Sequence, residues 1–328
     1  MQYLTRGDKP DFAVVLCEKS PRTEVASTYY CAKALLASHG IPSQIITVDL
    51  LSNDQRFEWA LADIALQMFV KLRGQPWAVV PSPGGGDVVI GVGRSERTDP
   101  RTGQVARIVG FTTCHTAEGV FRAVDVFVPK GNWSDYLSGL QGSVETALAR
   151  AVAHARVPLR LVLHVTKRFS RDEAEHLEAA LKSVSRDQIQ YTVLRLVDEH
   201  PFAILDLNHE TMAPLSGLCV DLDPRNHLLV LQGRPQQGNM YRPIPSPLWV
   251  TLQRASTANV DMDPLVQQIY DLAVANWRGF GAKARPITTH YAGEIARILS
   301  AALAKRNGME LVEQIASKPA IREVPWFI

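Results

Sequence analysis

The sequence predicts an α/β protein made of two consecutive units, a small parallel one and a larger mixed one. Three observations predict this. Short apolar runs alternate with helical periodicity over the first 80 residues, in the order βαβαβ. From residue 88 the order changes to three strands in succession, then helix, strand, helix, strand. Between the two patterns, Pro81-Ser82-Pro83-Gly84-Gly85-Gly86 is a strong breaker and marks the boundary. The domains are therefore read as residues 1–80 and 81–328.

A chain of 328 residues can bury a large core in each of two such units. With 46% hydrophobic and 21% charged residues it has an ordinary globular composition, which excludes a disordered chain. No apolar run reaches the roughly 18 residues that a membrane span needs. Residues 1–8 carry no signal-peptide core, so the reading is a cytoplasmic protein. Cys17, Cys31, Cys114 and Cys219 are scattered, without CxxC or metal-site spacing, and read as reduced, small buried residues. A net charge of +2 is too small to signal nucleic-acid binding by itself, so any such binding must rely on local basic clusters.

In the first unit, residues 11–17 form a buried-type strand. A helix over 23–38 stops at Gly40 and Pro42, and residues 45–48 give a second strand. Ser52 and Asn53 offer an N-cap for a long helix over 54–72, whose apolar positions Phe57, Ala60, Leu61, Ile64, Ala65 and Phe69 recur at helical spacing. Residues 77–80 are read as a third strand. This is a Rossmann-like unit, small for an independent domain. Tyr29 and Lys33 are four apart and share a helix face; so are Gln67 and Lys71. Gln44 opens the strand between those helices. Either pair alone is most simply a solvated face. Together they would converge where ligands gather in parallel α/β sheets, at one end of the strands.

In the second unit, strands at 88–92, 105–113 and 119–128 read as an antiparallel meander, with a Thr98-to-Gly103 turn between the first two. A helix over 134–155, starting near Asn132, leads to a buried-type strand over 159–165. Ser170 and Glu173 form a capping box that opens the next helix, and residues 190–196 are the next strand. The order βββαβαβ is the ribonuclease H topology. That fold supports two-metal phosphodiester cleavage when carboxylates stand on the first and fourth strands. The Gly-rich boundary is not a phosphate loop, because no Gly-Lys-Ser/Thr follows it, and Gly91-Val92-Gly93 lacks a dinucleotide-binding context.

Several stretches in this order resemble one family. They are Tyr29…Lys33…Gly40-Ile41-Pro42-Ser43-Gln44, Gln67…Lys71…Gly74-Gln75-Pro76-Trp77 and Val89-Ile90-Gly91-Val92-Gly93, then His164-Val165-Thr166-Lys167-Arg168-Phe169. Asn276-Trp277-Arg278-Gly279-Phe280, Arg285-Pro286-Ile287-Thr288 and the ending Val324-Pro325-Trp326-Phe327-Ile328 complete the series. Over nearly its whole length the chain resembles the MID and PIWI half of a short prokaryotic Argonaute. The resemblance implies a partial Rossmann-like MID unit followed by a ribonuclease H-like PIWI domain. It also implies a pocket for the 5′-phosphate of a short guide strand. Tyr29 would stack on the first base, and Lys33, Lys71 and Gln44 would grip the phosphate. A divalent cation, Mg²⁺ or Mn²⁺, would be held by Gln67 and the carboxylate of Ile328. Lys167, Arg168, Arg278 and Arg285 would contact guide or target backbone, with RNA favoured as guide and DNA as target. The family's MID domain is larger than residues 1–80, which leaves open a fragment, a divergent start, or another chain that completes the sheet. Short members act with a separate effector in prokaryotic defence.

The resemblance also bears on catalysis. Cutting members carry aspartates at the positions that are Gly93 and about Val165 here, and neither residue can hold a metal. Asp87 lies about six residues too early. Asp172 and Glu173 fit a helix N-terminal preference, and Glu294 reads as a surface charge. The expectation is a protein that recognises nucleic acid without cutting it. The alternatives are an active guide-directed endonuclease of the ribonuclease H-like class, with its acids in another register, and a scaffold that binds no nucleic acid. His164 is expected beside a guide–target duplex, Trp277 and Phe280 in the core, and His115, His209 and His290 as structural or exposed residues.

Overall fold

The structure is a computed structural model, and it describes residues 10–19, 27–98, 105–127, 133–152, 158–184, 189–235 and 243–328. The expected start of the first helix at Thr23, the turn after Thr98, the helix start near Asn132 and the expected end at Ala155 lie outside the described residues.

In the first unit, β1 (Ala13–Cys17) pairs in parallel with β2 (Ser43–Thr47), placing Val14 opposite Gln44. Helix α1 (Thr28–Ser38) connects them; Ser27 caps it by accepting from the Tyr30 N–H. A short α2 (Val48–Leu51) leads into α3 (Asp54–Lys71), where Asn53 Oδ1 accepts from the Arg56 N–H, as the sequence suggested. The expected third strand at 77–80 is not formed. Its polar groups are taken by the second unit instead: Val79 N–H donates to Glu118 O, and the Trp277 indole donates to Trp77 O. The two-stranded sheet leaves Val14 and Leu16 exposed. The expected apolar face of α3 is also shifted, since Ile64, Leu66 and Val70 are buried while Leu61 and Phe69 are about half exposed.

The second unit is an eight-stranded sheet in the order β5-β4-β3-β6-β7-β10-β9-β8. Strands β3 (Val88–Thr98), β4 (Val105–Thr116) and β5 (Phe121–Phe127) form the antiparallel meander. Strands β6 (Leu159–Val165) and β7 (Ile189–Val197) then add in parallel to β3 through helices α4 (Trp133–Val152) and α5 (Arg171–Val184). This is the βββαβαβ arrangement read from the sequence. The sequence reading assigned nothing to β8 (Cys219–Asp223), β9 (Asn226–Leu229) and β10 (Leu248–Ala255), which extend the sheet antiparallel beyond β7. Helices α6 (Asp263–Val274), α7 (Ile287–Leu303), α8 (Gly308–Ala316) and α9 (Pro319–Arg322) complete the chain.

The period of two in β3 divides the core. Val88, Ile90 and Val92 pack with α4 and α5, while Val89 joins the cluster of α6, α7 and the C-terminal segment on the other face. That second cluster also contains Tyr30, Ala34 and Ala37 of α1 and Leu66 and Val70 of α3, so both units share one core. Helix α7 crosses β3 at Gly91, where an added Cβ would lie 2.4 Å from Thr288 O; only glycine permits that approach. Helix α1 in turn lies against α7 and α8. This packing sets the sequence-predicted pocket at the seam between the units.

Candidate functional site

Tyr29 and Lys33 lie on one face of α1, and Tyr30 turns the other way into the core, its ring edge-on to Tyr29 at 5.1 Å. Lys33 is only 2% exposed. Its Nζ donates to the main-chain oxygen of Ile328 at 2.6 Å and of Trp326 at 3.2 Å, and stands 5.4 Å from the Tyr29 ring centroid. At the end of α3, Lys71, also 2% exposed, donates from Nζ to Gln44 Oε1 at 2.6 Å. Gln44 Nε2 reaches Gln67 Oε1 at 3.4 Å, and Gln67 Nε2 donates to Arg278 O at 3.0 Å. The side chains expected to meet, Tyr29, Lys33, Gln44, Gln67 and Lys71, are therefore linked to one another and to the last residue of the sequence.

Burying ammonium groups this deeply is costly unless something offsets the charge. Burial, reinforced by the Arg278 guanidinium and partly offset by the neighbouring Lys33, pulls the pKa of Lys71 down to about 7. The two buried lysines thus donate to main-chain and amide oxygens, and burial lowers the charge that Lys71 carries near neutral pH. The segment beneath them is packed into the core. Trp326, Phe327 and Ile328 are buried, and the Phe327 ring packs on Tyr291 and Phe121.

Arg278 is largely buried beside this cluster, its carbonyl accepting from Gln67. Its guanidinium pairs with Glu294 at 2.7 Å, and Arg297 pairs with the same carboxylate at 2.6 Å. Glu294 is 3% exposed, which corrects its reading as a surface charge: the apolar neighbours of α7 carry it inward, where two arginines neutralise it. Arg285 is likewise engaged, in a two-point ion pair with Asp198. Lys167 and Arg168 are exposed at the end of β6. His164 is fully buried, donating to or accepting from Thr288 Oγ1 at 2.8 Å, so it does not line a surface channel. Trp277 is core as expected, whereas Phe280 is 69% exposed beside Trp77. The four cysteines are half-buried rather than buried.

The structure shows what surrounds Gly93 and Val165, the two positions that the resemblance singled out. Gly93 faces Phe111 in β4, and an added Cβ would lie 2.3 Å from that ring, which is itself 1% exposed. Val165 is buried. A cavity of about 30 Å³ beside them, room for about one water, is bordered by Arg94, Tyr136 and Glu173. Glu173 is the carboxylate in that lining, and it is already committed. It completes the expected capping box with Ser170, accepts from Tyr136 Oη at 2.8 Å and pairs with Arg94 at 3.4 Å.

A ribonuclease H-type sheet joined to a smaller α/β unit, with two buried lysines at the seam, defines the class as a mixed α/β protein. More particularly, the chain belongs to the Piwi domain family, whose model matches residues 12–303. It is 25% identical over 317 residues to an Argonaute of Cereibacter sphaeroides, a match covering 87% of this chain and 39% of that relative. It is 26% identical over 320 residues to a Piwi protein of Archaeoglobus fulgidus, covering 92% of this chain and 71% of the relative. The chain thus spans about two fifths of the first relative's length. Among solved structures, A. aeolicus Argonaute superposes with a TM-score of 0.66 at 20% identity, over 88% of this chain and 38% of that one. Clostridium butyricum Argonaute, bound to a guide DNA and a 19-mer target DNA, gives a TM-score of 0.69 at 19% identity, over 92% and 39%. The large mixed sheet is that of the PIWI fold in these structures.

The Gln67 amide oxygen and the Ile328 main-chain oxygen, the groups that would hold a hard divalent cation, accept from Gln44 Nε2 and Lys33 Nζ. Such an ion would add positive charge toward a bound anion, beside the ammonium groups already present. No helix among the described residues is long and apolar enough to cross a membrane.

Proposed function

We propose that the chain anchors the 5′-phosphate of a short guide strand between α1, α3 and the C-terminal segment, and recognises a complementary strand without cutting it. The observation that carries this reading is the meeting of Lys33 and Lys71, both almost fully buried, with Gln44 and Gln67 around one point. Lysines act on phosphate as point charges, and the two amides add directed donors. Tyr29, on the rim, offers a face on which any base can stack, which gives affinity without sequence preference. Base pairing would then supply sequence recognition, with Lys167 and Arg168 on the backbone. Arg278 contributes through the pocket and Arg285 through its pair with Asp198, each within reach of a strand only by its exposed edge.

Two structural neighbours support a guide and a target: one is bound to a guide DNA and a target DNA, another to an external siRNA. For this chain we favour an RNA guide and a DNA target, in a cytoplasmic defence role triggered through a partner effector. The exposed Val14 and Leu16 of the two-stranded sheet support a partner polypeptide on the first unit. Sequencing the strands that copurify with the protein from its host tests the guide and target assignment.

Two outcomes test the mechanism. First, Lys71 titrates near pH 7 in the free pocket, and a phosphate selects its ammonium form. Above that pH a proton must be taken up on binding, while below about pH 6 the phosphate itself loses its second charge. Affinity for a 5′-phosphorylated guide should therefore peak between about pH 6 and 7 and fall by up to about tenfold per unit above it. A 5′-hydroxyl guide should show no such fall, and a flat profile from pH 7 to 9 with the phosphorylated guide would separate Lys71 from the phosphate. Second, guide-matched target should stay intact in Mg²⁺ or Mn²⁺, because Gly93 and Val165 offer no carboxylate and Phe111 fills the space beside Gly93. Metal-dependent cleavage that tracks the protein through purification would overturn this.

A further inference from the structure

The β8–β9 hairpin brings together a second group of chemically active residues, none of which belongs to the pocket around Lys33. Asp221 of β8 stands directly opposite His227 of β9, and Cys219, two residues earlier, shares the face of Asp221. The sequence reading found no metal-site spacing because the ligands are joined by strand pairing and not by a local motif. In the fold, one ligand atom from each residue lies within 4.8 Å of the others. His227 Nδ1 is 2.7 Å from Asp221 Oδ1, and Cys219 Sγ is 3.8 Å from the same oxygen.

We propose that this hairpin is a zinc-class cation site, with Cys219 Sγ, Asp221 and His227 Nδ1 as ligands and water completing the tetrahedron. Zinc bound at the usual lengths holds neighbouring S, N and O ligands roughly 3.3–3.7 Å apart. The observed separations bracket that range. His227, 5% exposed, is the fixed point of the site, and the Asp221 side chain, 70% exposed, can turn by the few tenths of an ångström required. Half-buried Cys219 leaves an opening for a water ligand. A mixed sulfur, nitrogen and carboxylate set selects against Mg²⁺ and Ca²⁺, which prefer oxygen alone. Binding would exchange the thiol proton for the metal. It would also tie β8, the outer strand of the sheet, to β9 by coordination at a point where only four residue pairs hold the two together.

The test uses the full chain after removal of metals with a chelator. Adding Co²⁺ should produce the thiolate-to-cobalt absorption band at one ion per chain, and Zn²⁺ should displace it. Cys219→Ser and His227→Ala should each lose the band, while Cys114→Ser should keep it. Zn²⁺ should raise the Tm of the wild type and leave that of Cys219→Ser unchanged. Both readouts use metal alone, so their failure is distinct from a failure of guide binding. Absence of a thiolate band in a folded wild-type protein, or an undiminished band in Cys219→Ser, would overturn the site and leave the Asp221–His227 pair as a hydrogen bond only.

Discussion

Replacing both Lys33 and Lys71 by alanine is expected to erase the distinction between 5′-phosphorylated and 5′-hydroxyl guides. Each ammonium is buried, and each would meet the phosphate without water between them. Hydrogen bonds to charged groups contribute about 1.5–3 kcal/mol apiece, so losing two should cost roughly 10²- to 10⁴-fold in affinity for the phosphorylated guide. The hydroxyl guide should bind nearly as before. Its retained binding is also the control for folding, because Lys33 ties α1 to Ile328 and the double variant could loosen that seam. Lys→Met at each site keeps the aliphatic volume and should give the same loss of preference. If the wild type binds both guides equally well, the pocket is not a phosphate site.

The second large effect concerns Glu294. Burial alone would push its carboxyl up, but Arg278 and then Arg297 outweigh it and hold the group below the usual carboxylate range. Glu294→Ala would leave the Arg278 guanidinium, 13% exposed, without its counter-charge. Breaking a buried ion pair from one side typically costs about 3–5 kcal/mol. For a chain of this size that corresponds to a fall in Tm of about 4–7 °C. Glu294→Gln keeps an acceptor toward Arg278 and should lose less. The damage should reach the pocket as well, since Gln67 is anchored on the Arg278 carbonyl. An unchanged Tm in Glu294→Ala would show that solvent reaches Arg278 and that the pair is not structural.

Much of the architecture was legible because its signals are local. Asn53, the Ser170/Glu173 capping box and the Gly40–Pro42 stop each announce a helix end within four residues. The buried run at 159–165 announces a central parallel strand. The i, i+4 spacing of Tyr29 with Lys33 and of Gln67 with Lys71 placed four pocket residues on two helix faces before any geometry was known. The misreadings share another cause. Residues 77–80 have strand composition, yet their backbone partners are Glu118 and Trp277, some 40 and 200 positions away. Glu294 has the composition of a surface residue, and its burial depends on two arginines arriving from elsewhere. Leu61 and Phe69 match a helical stripe but face outward, because the core reaches α3 through Ile64, Leu66 and Val70.

The sequence by itself determined the βββαβαβ order of the second unit, the helix caps at Asn53 and Ser170, the two polar pairs and the residue types at positions 93 and 165, since each depends on residue type and short-range spacing. The tertiary structure decided what those groups experience. Packing of α1 on α7 and α8 is what buries Lys33 against Ile328 and brings it beside Lys71. Pairing of β8 with β9 is what assembles Cys219, Asp221 and His227. Desolvation and charge coupling arise only when distant segments meet, and one-dimensional spacing carries no record of that meeting.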